Sequence, residues 1–137
     1  MKFFTILLFS LLITSNSNAA AGVGKGSITL SNGTVNHFYD YVKGGYGKKP
    51  GSFFVTVDGN GSSSWTCPEG QCQSVNVQEG NLACERYWQT ECKLFAKSRT
   101  IKWKNGINPG KGKVSRMNSK WSNSEFKNKL RELGFIN

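Results

Sequence analysis

The sequence predicts an α+β domain: a four-stranded antiparallel sheet with a β-β-α-β-β core, flanking N- and C-terminal helices and two disulfides. Three observations predict it. Residues 53–66 and 93–104 each alternate apolar and polar side chains about a short turn, which is the pattern of a hairpin. Residues 31–43, 76–89 and 122–133 carry apolar side chains at helical spacing between recognisable start and stop residues. Four cysteines fall in two close pairs, Cys67 with Cys72 and Cys84 with Cys92.

Residues 1–20 read as a signal peptide. Lys2 supplies the positive end, Phe3 to Ile13 is an apolar run too short for a membrane span, and Ala19, Ala20 and Ala21 each offer a cleavage point. The expected product is exported, periplasmic or secreted, and not membrane-spanning. Residues 21–30 read as a flexible lead. Their Gly-x-Gly-x-Gly run lacks the preceding strand that a phosphate loop needs. Residues 31–137 then form a single small domain.

Ser31 to Lys43 forms the first helix, with Leu30, Thr34, Phe38, Tyr41 and Val42 near one face and Gly44-Gly45 as its stop. Phe53 to Asp58 is the clearest strand. A turn at Gly59-Asn60 returns the chain through Thr66, which sets Phe54 opposite Trp65 and Thr56 opposite Ser63. Phe53, Val55 and Val57 then face the core. Asn76 with Glu79 opens a second helix as a capping box, with Val77, Ala83, Cys84, Tyr87 and Trp88 toward the sheet.

Cysteines in an exported chain point to disulfides. Of three connectivities, the local one, Cys67–Cys72 and Cys84–Cys92, closes the shortest loops. A four-cysteine zinc site is the alternative, but the spacings do not match paired CxxC knuckles. No metal or cofactor is expected.

The second hairpin can be written in register. A two-residue turn at Ser98-Arg99 sets Lys97 against Thr100, Ala96 against Ile101, Phe95 against Lys102, Leu94 against Trp103 and Lys93 against Lys104. One face holds Leu94, Ala96, Ile101 and Trp103. The other holds Lys93, Phe95, Lys97, Lys102 and Lys104. Residues 105–120 read as an irregular basic loop, and Ser122 with Glu125 caps the last helix, 122–133, which buries Phe126, Leu130 and Leu133.

Charge is divided along the chain. Residues 20–92 hold five basic and six acidic side chains; residues 93–137 hold twelve basic and two acidic ones. A basic half of this kind attracts polyanions or acidic proteins. The catalytic inventory is thin, and no catalytic residue is assigned. His37 is the one histidine, there is no Gly-x-Ser-x-Gly or His-Glu-x-x-His motif, and the cysteines pair without remainder.

The run Cys92-Lys-Leu-Phe-Ala-Lys-Ser-Arg-Thr-Ile-Lys-Trp-Lys-Asn-Gly-Ile-Asn108, followed by Phe126…Leu130-Arg-Glu-Leu-Gly-Phe135, resembles a group of small, functionally uncharacterised exported proteins of alphaproteobacteria. The resemblance spans about residues 53–135 and includes Val57-Asp-Gly and the Cys67-Pro…Cys72 turn. It implies a free-standing exported domain and supplies no activity or catalytic residue. Members of the group often carry Gly where this chain has Ser98.

The functional expectation is therefore a non-enzymatic exported binding or accessory module. Its candidate site is a sheet face combining Phe54, Trp65 and Phe95 with Lys93, Lys97, Lys102 and Lys104, where aromatics stack rings and lysines meet anionic groups. If a helix covers that face instead, the same aromatics become a second core layer. A small secreted hydrolase or a cationic toxin is the alternative.

Overall fold

The computed structural model describes residues 22–44, 48–67 and 76–137. In chain order these form α1 (Asn32–Lys43), β1 (Lys49–Thr56), β2 (Ser62–Cys67), α2 (Val77–Trp88), β3 (Cys92–Lys97), β4 (Thr100–Ile101), a 3-10 turn (Lys113–Ser115) and α3 (Asn123–Glu132). The four strands make one antiparallel sheet in the order β2-β1-β3-β4. The predicted α+β class with a four-stranded antiparallel sheet is what is found.

The helices start where side-chain oxygens can take the first free amide hydrogens. Ser31 accepts from Thr34 N, Asn76 from Gln78 N and Ser122 from Glu125 N. Helix α1 ends at Gly44, whose φ of 62° suits glycine. Helices α1 and α3 cover one side of the sheet, where Phe38, Phe53, Phe95, Phe126 and Phe135 meet with centroids 4.9 to 6.3 Å apart. Helix α2 covers the other side, over Phe54, Leu94, Cys84 and Cys92.

Both sheet faces are therefore buried, which is the covered alternative, but Phe54 and Phe95 fall into two different cores rather than one second layer. The physical reason lies in strand β3. Phe53 pairs with Ala96 and Phe54 with Leu94, so Phe95 is an extra residue, a β-bulge. The bulge breaks the alternation and puts Phe95 and Ala96 in the same core, with Cys92 and Leu94 on the α2 side. Lys102 N and Trp103 N both donate to Phe95 O, so the irregularity carries through to the next strand.

The upper rungs of the second hairpin form as expected, Ala96 with Ile101 and Lys97 with Thr100. The lower rungs, Leu94 with Trp103 and Lys93 with Lys104, do not. Residues 22–26, expected as part of a flexible lead, run between them instead. Leu94 N donates to Gly22 O, Gly24 N to Leu94 O, and Gly26 N to Lys104 O. A Cβ on Gly24 would lie 1.7 Å from the Trp103 ring, so glycine is what admits the segment beside the indole.

The first hairpin also shifts. Its loop is longer than Gly59-Asn60, so Phe54 pairs with Ser63 and Trp65 with Ser52. Asp58 organises that loop: its Oδ1 accepts from Thr56 Oγ1 and Asn60 N, which holds its carboxyl below the usual range. Val57 is exposed rather than core. Helix α2 meets the sheet through Gly80 and Cys84, and Trp88 reaches β2 by donating from Nε1 to Ser62 O, whereas Ala83 and Tyr87 are exposed. One disulfide joins two described cysteines, Cys84–Cys92, with Cα atoms 6.0 Å apart. The expected Cys67–Cys72 pairing involves a cysteine outside the described residues. Among the described residues, no helix is long and apolar enough to cross a membrane.

Candidate anion-binding groove

The seven residues expected to share a binding face do not meet. Phe54 and Phe95 are buried on opposite sides of the sheet. Trp65 is exposed on the edge strand β2. Alternation through the bulge sends Lys93 and Lys97 to opposite faces. Lys93 is also engaged with Glu91 at 3.2 Å. Lys104 is separated from β3 by the inserted N-terminal segment, while Lys102 follows β4 and still donates its N–H to Phe95 O.

The structure gathers a different set of cations. The Ser98-Arg99 turn is the starting point. Ser98 sits at φ 52°, a left-handed conformation that glycine adopts more easily than serine. Two bonds hold it there: Tyr41 Oη donates to Ser98 O at 2.8 Å, and Ser98 N donates to Gly51 O at 2.8 Å. Burial pushes the Tyr41 hydroxyl well above its ordinary pKa, against the opposing pull of the Arg99 charge, so it stays protonated as a donor. Arg99 Nε in turn donates to Val42 O at 2.9 Å. That carbonyl belongs to the last turn of α1, where the helix dipole favours a cation.

The basic loop, irregular apart from its 3-10 turn, is nonetheless held in place. Asn108 is buried and donates through Nδ2 to both Ile101 O and Trp103 O, while its Oδ1 accepts from the buried Ser115 hydroxyl at 2.6 Å. Met117 N donates to Arg99 O, and Thr100 bridges to Arg116. Ser115 and Met117 point inward, so the residues between and beside them, Val114 and Arg116, point outward. Asn118 then turns the chain, its carbonyl accepting from Trp121 N and its side chain from Lys120 N. Trp121 packs half-buried on the core at the start of α3.

These constraints build an open groove of about 610 Å³ between the second hairpin's turn, the basic loop and α3. Arg99, Lys113, Arg116 and Lys129 supply four cations, and Trp121, Met117 and Val114 supply apolar surface. Asn118 and Ser119 are the uncharged polar residues of the lining, and no acidic residue lines it. Among the described residues the Lys93–Glu91 pair is the single ion pair, so no described carboxylate lies within 4.0 Å of the groove's cations. The volume is in the range that holds small ligands or a short polymer segment.

No family model matches the chain, no curated protein matches its sequence, and no solved structure matches its fold.

His37 lies outside this groove. Its Nδ1 sits 2.7 Å from Ser62 Oγ and its Nε2 3.0 Å from Ser64 Oγ, with the ring edge-on to Phe53. Burial lowers its pKa below 6.5, and Asp40 pulls the other way. Both ring nitrogens are occupied in tying α1 to the edge strand. Among the described residues no three His, Cys, Asp or Glu side chains converge as metal ligands.

Sequence reasoning missed Arg99, Lys113, Arg116, Lys129 and Trp121 as a set. The excess of positive charge after Lys93 was the one available signal. Their convergence depends on Asn108 and Ser115 folding the loop back onto the hairpin turn, which spacing does not reveal.

Proposed function

We propose that this chain is an exported, non-enzymatic binding module whose basic C-terminal half engages an anionic polymer through the groove at Arg99, Arg116, Lys113 and Lys129. The observation that carries this reading is the convergence of four cations, none with a described carboxylate partner, around an aromatic side chain in one open groove. Cations left without counter-charges on the protein are available to displace the counterions of a polyanion.

Export rests on the short apolar run of residues 3–13 and the small residues that follow it, together with the disulfide chemistry. In this reading the second staple is Cys67–Cys72, and the chain shares an exported, free-standing design with the alphaproteobacterial group that it resembles. A secreted hydrolase, or a toxin that cleaves such a polymer, needs an acid–base group within reach of the scissile bond. His37 is instead bound between two serines away from the groove.

The test is salt-titrated binding to labelled DNA and to an acidic polysaccharide. A groove variant with Arg99, Lys113, Arg116 and Lys129 changed to Gln is compared with a hairpin variant carrying Lys93, Lys97, Lys102 and Lys104 as Gln. Binding is expected to weaken steeply with salt, to collapse in the groove variant and to persist in the hairpin variant. Absence of binding to any polyanion at low salt, or loss confined to the hairpin variant, overturns the proposal.

A further inference from the structure

We infer that the groove is a site for single-stranded nucleic acid, with Trp121 stacking a base and Arg99 and Arg116 meeting the neighbouring phosphates. This rests on the proposed polyanion-binding role and specifies its partner.

The lining is rich in hydrogen-bond donors and poor in acceptors. Arg99, Arg116, Lys113 and Lys129 only donate. The side-chain acceptors of the lining are the Asn118 oxygen, one of whose two lone pairs is taken by Lys120 N, and the Ser119 hydroxyl. An acidic glycan brings several hydroxyl donors per sugar, and each one buried without an acceptor costs free energy. Phosphodiesters are pure acceptors, and base edges are rich in them. The chemistry of the lining therefore fits a nucleic acid better than an acidic sugar polymer.

The aromatic wall makes a second distinction. Trp121, partly buried against the core, lines the groove with Met117 and Val114. A single strand can lay a base on it, whereas a duplex keeps its base faces stacked internally and presents only phosphates and edges. Two arginines supply planar forks that match phosphate oxygens. Arg99 is held in place by Val42 O, and Arg116 by its backbone bridge to Thr100. At about 610 Å³ the groove holds a short segment of strand rather than a long track.

The experiment measures affinities of the protein for labelled oligothymidylate, a duplex of the same length, polygalacturonate of matched charge and phosphatidylglycerol vesicles. Oligothymidylate is expected to bind tightest. Trp121→Ala should weaken it by about tenfold or more, as removal of one stacking platform does, while Trp121→Phe keeps most of the affinity. Polygalacturonate binding should not respond to either change. Arg116→Gln, at an exposed position, should lower the salt slope by about 0.7, the change expected when one phosphate of a single strand is no longer neutralised. Equal affinity for oligothymidylate and polygalacturonate, unmoved by the Trp121 variants, overturns this inference and leaves the polyanion-binding role standing. Tighter binding to duplex or vesicles also overturns it. Failure to bind any of the four probes removes both proposals. Thermal unfolding of each variant separates impaired binding from impaired folding, and Arg116→Gln keeps the test open if Trp121→Ala does not fold.

Discussion

Gly80 shows how a single residue can be pulled in two directions. It sits inside α2, where replacement by alanine ordinarily gains up to about 1 kcal/mol of helix propensity. Its missing side chain is what lets Phe54 reach the helix, since a Cβ there would lie 2.0 Å from the Phe54 ring tip. Phe54 is a large buried side chain and cannot swing into solvent. Overpacking of this kind costs about 1–3 kcal/mol, which outweighs the propensity gain. Gly80→Ala should therefore destabilise the protein in urea titration; a raised midpoint would show that α2 rides up at no cost. At this scale the sequence was partly legible. The caps Asn76 and Ser122 announced themselves because their bonds are local. Gly80, Gly24 and Ser98 did not, because what fixes them is a distant ring or a tyrosine hydroxyl.

At the level of elements, α2 is attached to the sheet through the Gly80–Phe54 contact, the Cys84–Cys92 disulfide, and the bonds of Glu85 to Cys92 N and of Trp88 to Ser62 O. The crosslink spans a sequence separation of 8, and chain-entropy arguments give such a loop about 2–3 kcal/mol. Changing both cysteines to alanine should lower stability by about that amount, with hydrogen exchange rising first in α2; exchange rising equally across the sheet would contradict a local staple. The attachment of α1 to β2 should respond to pH instead. The folded pKa of His37 lies below 6.5, so in the window beneath 6.5 the unfolded chain binds more protons. Its contribution is fully present above 6.5 and is lost as pH falls through the folded value. Thermal midpoints should fall between pH 7.5 and pH 5, and fall less in His37→Gln; parallel declines would assign the effect to other groups. Element types were legible because periodicity reports them directly. The faces of β1 were legible as well, Phe53 and Val55 on one side and Phe54 on the other; in β3 Leu94 and Phe95 were not, because the bulge breaks the alternation there.

For the whole molecule, the uneven charge is the property most plainly written in the sequence and the least informative about location. Residues 93–137 carry twelve basic and two acidic side chains. The meeting of four of them around Trp121 depends on the Asn108–Ser115 bond within the loop and on the long-range Arg99 anchor, contacts that composition does not contain. That charge has two opposite consequences. In the free protein the cations repel one another with few ion pairs to offset them, so screening should stabilise the fold. In a polyanion complex the same cations gain from counterion release, so salt should weaken binding. Raising sodium chloride from low to about 0.3 M, where the Debye length falls below about 10 Å, should raise the thermal midpoint of the free protein. Over the same range it should lower its affinity for oligothymidylate. The groove variant, with four cations removed, should start with a higher midpoint at low salt and respond less to added salt. A midpoint that is flat in salt for the native protein would mean that its cations are too far apart to repel, and would weaken the case for a concentrated anion-binding groove.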